Sequence, residues 1–193
     1  MLGTQIDDFQ VIGELGEGGA GKVYLARQVS LDRDVAVKLL SPDSSGNTLQ
    51  TIERFVYEAK LMATIKHSNI VSIYKVGIHR DKHYIAMEYI NGRHLGDYFE
   101  GQVFRKRKER LVWEFAWQIV LGLKHALQNG IIHRDIKPDN VLIDENNIPK
   151  ICDFGISKRI DQKAGLTMAG VIMGTPQFMS PEQVSGKDVS YHS

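Results

Sequence analysis

Gly16-Glu17-Gly18-Gly19-Ala20-Gly21-Lys22-Val23 fits three phosphate-handling patterns at once. As G-x-G-x-x-G it could open a dinucleotide site. As G-x-x-x-x-G-K it nearly makes a phosphate-cradling loop, but Val23 replaces the hydroxyl residue that would hold magnesium. Both of those loops lead into a helix, whereas Val23-Tyr24-Leu25-Ala26 reads as a strand. The third pattern, G-x-G-x-x-G-x-V between two antiparallel strands, lets backbone N–H groups approach phosphate oxygens where side chains are absent. A plain glycine-rich hairpin turn remains an equal alternative for the motif taken alone. Val35-Ala36-Val37-Lys38 adds a lysine on an apolar strand, and Glu58 adds a carboxylate inside an apolar helix stripe. Singly, such a lysine reaches for water. Together, Lys38 could hold two phosphates while Glu58 fixes its ammonium.

These residues need elements to carry them. Phe9, Val11 and Leu15, then Val23 and Leu25, then Val35, Val37 and Leu39 alternate with period two, which predicts strands on both sides of the glycine cluster. Ser41 to Asn47 is a loop by its turn residues. From about Thr48 to Lys66 the period becomes helical, with Ile52, Phe55, Ala59 and Met62 on one face. Strands follow around 71–78 and 83–89, and Asn91-Gly92 breaks the pattern. Helix is then expected to dominate, with Trp113, Trp117, Val120, Leu123 and Leu127 as the apolar stripe of a helix that Asn129-Gly130 ends. A hairpin is expected around Asp144 to Asn147. The layout is a strand-rich small lobe, a short hinge and a helical lobe.

Bulk properties narrow the class. The chain has 193 residues, 42% of them hydrophobic, and a formal net charge of +1. Near-balance of charge gives no reason to expect nucleic acid or an anionic membrane as partner. No apolar run reaches membrane-span or signal-peptide length. Cys152 is the single cysteine, so neither an internal disulfide nor a cysteine zinc site is available. A soluble, cytoplasmic protein is the expectation.

The remaining motifs are Ile132-His133-Arg134-Asp135-Ile136-Lys137-Pro138-Asp139-Asn140, Asp153-Phe154-Gly155, Gly174-Thr175-Pro176 and Ser180-Pro181-Glu182. With the glycine loop, Lys38 and Glu58 in register, the chain resembles the protein-kinase superfamily from about Phe9 to its last residue. The resemblance implies an α+β, bilobal fold. Residues 9–90 would form an ATP-binding N-lobe of antiparallel sheet plus one helix, and 91–193 a partial helical C-lobe. ATP and magnesium are the implied cofactors. Asp135 would accept or orient the proton of a substrate hydroxyl, and Lys137 would neutralise charge on the transferred phosphoryl. Asn140 and Asp153 would hold the magnesium, Lys38 and Glu58 completing the catalytic set. Backbone of Gly16, Glu17, Gly18, Gly19, Ala20 and Gly21 would cover the phosphates. Leu15, Val23 and Ala36 would roof the adenine and Leu142 floor it. Met87 looks like the gatekeeper, with backbone groups of Glu88 and Ile90 on the adenine edge and Asp97 a weaker ribose candidate. Core packing is the alternative for each apolar residue.

Lys137, two residues after Asp135, and Thr175 imply a protein substrate with serine or threonine. The run from Gly174 to Gln183 is similar to bacterial eukaryotic-like kinases. A small-molecule phosphotransferase is disfavoured by Lys137 and by the same run. Arg134 could pair with an activation-loop phosphate, for which Thr167 is the candidate acceptor. Arg105 to Lys108 reads as the solvated start of a helix, and Cys152 as a small buried hydrophobe. The family's large central helix would follow Ser193, so the stripe from Trp113 to Leu127 is expected to lose packing surface, at about 1.5–3 kcal/mol per large apolar side chain left exposed. A fragment, a truncated frame, or a split gene with a second polypeptide completing the helical lobe would each produce this. The alternative function is a non-catalytic module that binds nucleotide or a partner kinase.

Overall fold

The period-two stretches form strands in the computed structural model, which describes residues 1–18, 21–40, 49–99, 106–154 and 176–184. They belong to one of two compact units, Met1–Thr64 with Ser72–Tyr89. A short edge strand β1 (Gln5–Ile6) precedes β2 (Phe9–Gly18), β3 (Gly21–Gln28) and β4 (Arg33–Leu40). The helix α1 (Leu49–Ala63) comes next, then β5 (Ile73–His79) and β6 (Lys82–Glu88). The antiparallel sheet runs β1-β2-β3-β4-β6-β5. Arg80 and Asp81, both with positive φ, close the two-residue β5–β6 turn, the geometry whose twist suits a tight hairpin.

Register decides which face does what. Tyr24 pairs with Val37 and Val37 with Ala86. These three are buried in one cluster with Ile6, Phe9, Val11, Ala26, Val35, Leu39 and Tyr84. Because strand side chains alternate, the neighbouring rows Val23–Lys38–Ile85 and Leu25–Ala36–Met87 lie on the opposite face. The helix α1 packs on β5 and β6, with Ala59 and Met62 buried.

The edge strand β1 was not legible in the sequence. Ile6 is 1% exposed, and Gly3 N–H and Thr4 O bond to Val11. Asp7, at φ 48°, accepts from the Tyr84 hydroxyl at 2.5 Å and pairs with Lys75 at 3.0 Å. Tyr84 lies so close over Gly77 that a Cβ there would sit 2.6 Å from its ring.

The second unit is Ile65–Val71 with Ile90–Ser193. Its described elements are β7 (Gly92–His94), α2 (Leu95–Phe99), α3 (Lys106–Gln128), β8 (Val141–Asp144), β9 (Pro149–Ile151) and α4 (Pro181–Val184). The strands form a sheet ordered β7-β8-β9. The β8–β9 turn is set by Asp144, whose Oδ1 accepts from Asn146 and Ile148 N–H. Gly130 (φ 75°) ends α3: its N–H bonds Leu127 O and Ile131 N–H bonds Ala126 O, a Schellman stop.

One expectation is corrected here and another is met. The break at Asn91-Gly92 is followed by a strand, β7, whose three residues are all exposed and so carry no alternation to read. The stripe expected to lose packing surface is indeed largely outward: Trp113 is 75% exposed and Trp117 66%, with Val120 and Leu127 also exposed. The packed face is Leu111, Phe115, Ile119, Gly122 and Ala126. Gly122 decides it, since a Cβ there would meet Ile151 at 3.0 Å and the Asn69 carbonyl at 3.2 Å. The helix comes in along the face where a side chain is missing. Buried Asn69 fastens 65–71 to this unit, its amide donating to Gln118 and to Pro149 O. No helix among the described residues is long and apolar enough to cross a membrane.

Candidate functional site

The first unit presents the glycine hairpin and the lysine. Gly16 pairs with Val23 and Gly18 with Gly21, while Gly19 and Ala20 lie outside the described residues. A Cβ on Gly16 would meet nothing within 4 Å. Among the described residues that glycine answers no packing need, and it leaves backbone open to an approaching group. Glu17 is exposed and its carboxylate pairs with Lys22 at 3.1 Å, so its backbone is the part available to a phosphate. Leu15, 45% exposed, sits at a register shift between Glu14 and Gly16.

On the face opposite the core, Val23, Lys38 and Ile85 stand in one row and Ala36 and Met87 in the next. Lys38 is half-buried, and so is Glu58 on α1, beside fully buried Ala59. Ala36 is buried and Met87 half-buried. Glu88 donates its N–H to Ser72 O and accepts Ser72 N–H on Oε2. What Glu88 could offer an adenine is thus its carbonyl.

The second unit builds its part from the β8–β9 hairpin. Val141 pairs with Ile151, and one step beyond, Cys152 N–H donates to Asn140 O at 2.9 Å. The hairpin thereby sets Asn140 beside the residue preceding Asp153. Pro138 starts a single 3-10 turn, Pro138–Asn140, after extended Lys137. That turn aims the Asn140 amide at Asp135: Nδ2 donates to Asp135 O at 2.7 Å and to Oδ2 at 3.2 Å. Buried His133 works from the other side. Asp135 N–H donates to its Nδ1 at 3.2 Å, which leaves Nε2–H to donate to Cys152 O at 3.0 Å. Its ring packs on buried Phe154, centroids 4.6 Å apart. Arg134 and Asp153 both hold positive φ, 66° and 53°. Non-glycine residues in that region carry strain that surrounding structure must hold, and such strain gathers at working sites.

Lys137 pairs with Asp139 at 3.7 Å. Leu142 is half-buried on the side of β8 opposite Val141 and Ile143, Ile90 is half-buried, and Asp97 is exposed on α2. Cys152 contributes through its backbone rather than as a core side chain. The sequence reading gave Gln183 no role, yet its Nε2 donates to Arg134 O at 2.8 Å. Thr167, Gly155 and the Gly174-Thr175 pair lie outside the described residues, as do Arg105 and the 41–47 loop.

The donor set fits magnesium. Asn140 Nδ2 is committed to Asp135, which leaves its oxygen, and Asp153 adds a carboxylate. No cluster of three acid, histidine or cysteine residues occurs among the described residues. Magnesium asks for no such cage, since it takes one or two protein oxygens and completes its shell with water and substrate phosphates.

The sequence profile of the protein kinase domain matches residues 9–193. The chain belongs to the protein kinase family. Serine/threonine-protein kinase PrkC of Bacillus subtilis strain 168 is 40% identical over 187 residues, covering 96% of this chain and 28% of that protein. Serine/threonine-protein kinase PknB of Mycobacterium tuberculosis is 39% identical over 198 residues, covering 98% of this chain and 31% of that protein. The chain thus spans about a third or less of the length of these relatives. The crystal structure of the Mycobacterium tuberculosis PknI kinase domain superposes with a TM-score of 0.69 at 25% identity, over 98% of this chain and 68% of that one. The kinase fold expected from the motifs is the fold the chain has. The family works with ATP and a divalent cation.

Proposed function

We propose that the chain carries the nucleotide-binding and phosphoryl-transfer machinery of a serine/threonine protein kinase, moving the γ-phosphoryl of ATP to a protein hydroxyl. The observation that carries this is the holding of Asp135. Its backbone N–H, its carbonyl and its carboxylate each have a fixed partner in His133 or Asn140. A carboxylate so fixed is placed to take one proton. The substrate hydroxyl oxygen forms a bond to the γ-phosphorus, the bond from that phosphorus to the β–γ bridging oxygen breaks, and ADP leaves. The hydroxyl proton passes to Asp135. Lys137 meets charge on the phosphoryl oxygens, and Lys38, fixed by Glu58, steadies the α- and β-phosphates. The glycine hairpin covers the phosphates with backbone N–H groups. Leu15, Val23, Ala36, Met87 and Leu142 supply apolar contact for the adenine, and Glu88 O and Ile90 its edge contacts. Magnesium, when bound, supplies charge neutralisation on the phosphates, and Asn140 and Asp153 would hold it. Dependence on ATP favours the cytoplasm as the working compartment.

The test is transfer of radiolabelled phosphate from ATP with magnesium to casein. Asp135→Asn lowers transfer at least about a hundredfold, the ordinary worth of a positioned general base. Equal transfer by both proteins overturns the reading, and ATP binding without any transfer favours the non-catalytic module instead.

A further inference from the structure

Gln183 is held by two partners that ask different things of it. Ser180 N–H donates to its Oε1 at 2.9 Å, and its own N–H reaches Ser180 Oγ at 3.4 Å. This is the reciprocal capping box that serine makes with a glutamate or glutamine three residues on, and it starts α4. The box fixes which way the amide points. With Oε1 spent on Ser180, Nε2 is left to face Arg134, and it donates to the Arg134 carbonyl at 2.8 Å. A glutamate would complete the box equally well. Only glutamine also has an N–H to give.

The carbonyl it holds belongs to a residue that needs holding. Arg134 sits at φ 66°, a region costly for a side chain with a Cβ. It lies between His133 and Asp135, where the His133 ring accepts Asp135 N–H and the Asn140 amide donates to Asp135 O. Neither of those touches the 134–135 peptide from the Arg134 carbonyl side. Gln183 does, across 49 positions of sequence. We infer that Gln183 is a positioning residue for Asp135: it clamps the strained Arg134 peptide, and so ties the seating of the Ser180–Val184 segment to the geometry of the proton acceptor. The kinetic part of this inference rests on the proposed kinase activity, while the clamp itself does not.

The test compares Gln183→Glu with the unaltered chain. Glutamate keeps the capping box and α4 but replaces the donor with an oxygen facing a carbonyl oxygen. Hydrogen–deuterium exchange of peptides spanning 131–140 is expected to rise in Gln183→Glu, with peptides from β2 to β4 unchanged. In the transfer assay, kcat falls about tenfold while KM for ATP holds, because a small misplacement of a reacting group costs rate more than binding. The thermal midpoint is expected to stay close to that of the unaltered chain, which a merely structural role would not give. Gln183→Ala, losing box and clamp together, lowers both kcat and the midpoint. Unchanged exchange across 131–140 in Gln183→Glu overturns the inference whatever the kinetics do. If the unaltered chain transfers no more phosphate than Asp135→Asn, the functional reading has failed, and exchange alone decides the clamp.

Discussion

Asn140 shows how much a single amide settles. Its Nδ2 holds both the carbonyl and the carboxylate of Asp135, while its oxygen is the atom suited to a hard cation. Asparagine can serve both neighbours at once because its two ends differ. An aspartate in its place would keep an oxygen ligand and lose the donor, setting carboxylate against carboxylate at the 3.2 Å now spanned by a hydrogen bond. Asn140→Asp is therefore expected to lower kcat by about a hundredfold, the scale set by removing one oriented donor. Steady-state rates at saturating ATP check it. A tenfold rise in magnesium should not restore the rate, and full recovery would show that Asn140 acts only through the metal. The residue types of this site were legible in the sequence, because Asp135, Asn140 and Asp153 stand in a short register. Their hydrogen bonds were not. Which atom of Asn140 faces Asp135, and that Gln183 reaches Arg134, depend on contacts made after folding.

At the level of elements, legibility followed the length and burial of the pattern. The strands β2, β3, β4 and β6 run over seven residues or more and give alternate residues to one core, so period two showed through. The strand β7 has three exposed residues and nothing to alternate. The helix α3 is apolar on two faces, and periodicity could not choose between the tryptophan face and the face with Gly122. Close approach chose, as it also does at Gly92, where a Cβ would lie 2.0 Å from the Ile143 carbonyl oxygen in β8. No rotamer relieves a clash between Cβ and backbone, so Gly92→Ala must push β7 off β8. The expected loss is about 1–3 kcal/mol, the cost of overpacking a fitted contact. Urea unfolding measures it, and a midpoint equal to that of the unaltered chain would show that β7 adds nothing to the second unit. Gly96→Ala on α2 is the control, since its Cβ would meet only Pro138 at an ordinary 3.7 Å.

Across the whole molecule, the two units carry titrating groups that answer acid in different ranges. In the second unit His67 accepts Asn69 N–H on Nδ1 and stacks on His125, ring centroids 5.1 Å apart. Burial, and then the neighbouring His125 charge, pull its pKa below the ordinary 6.5. The unfolded chain therefore binds the His67 proton more readily, and stability falls as pH drops through about 6.5, levelling below the folded pKa. In the first unit the Tyr84 hydroxyl, and then Lys75, hold the Asp7 carboxyl below the ordinary 3.8. Tyr84 itself is pushed up to about 12, first by burial and then by its bond to Asp7. A lowered carboxylate pKa carries the opposite window: its contribution is present above 3.8 and is lost as pH falls through the folded value. The thermal midpoint is thus expected to fall in two stages on acidification, the first from near pH 6.5 and the second below pH 4. Calorimetry from pH 7.5 to 3 separates them with two substitutions. His67→Asn supplies an Oδ1 where Nδ1 accepts Asn69 N–H and cannot take up a proton, so it flattens the first stage and spares the second. Asp7→Asn keeps an acceptor for Tyr84 but cannot ionise, so it shrinks the second stage, to which Asp8, held below 3.8 by Ser30 and then Gln28, also contributes, and spares the first. A His67→Asn profile that still falls between pH 6.5 and 5 would place the early loss on another group, and the two-stage account would fail there.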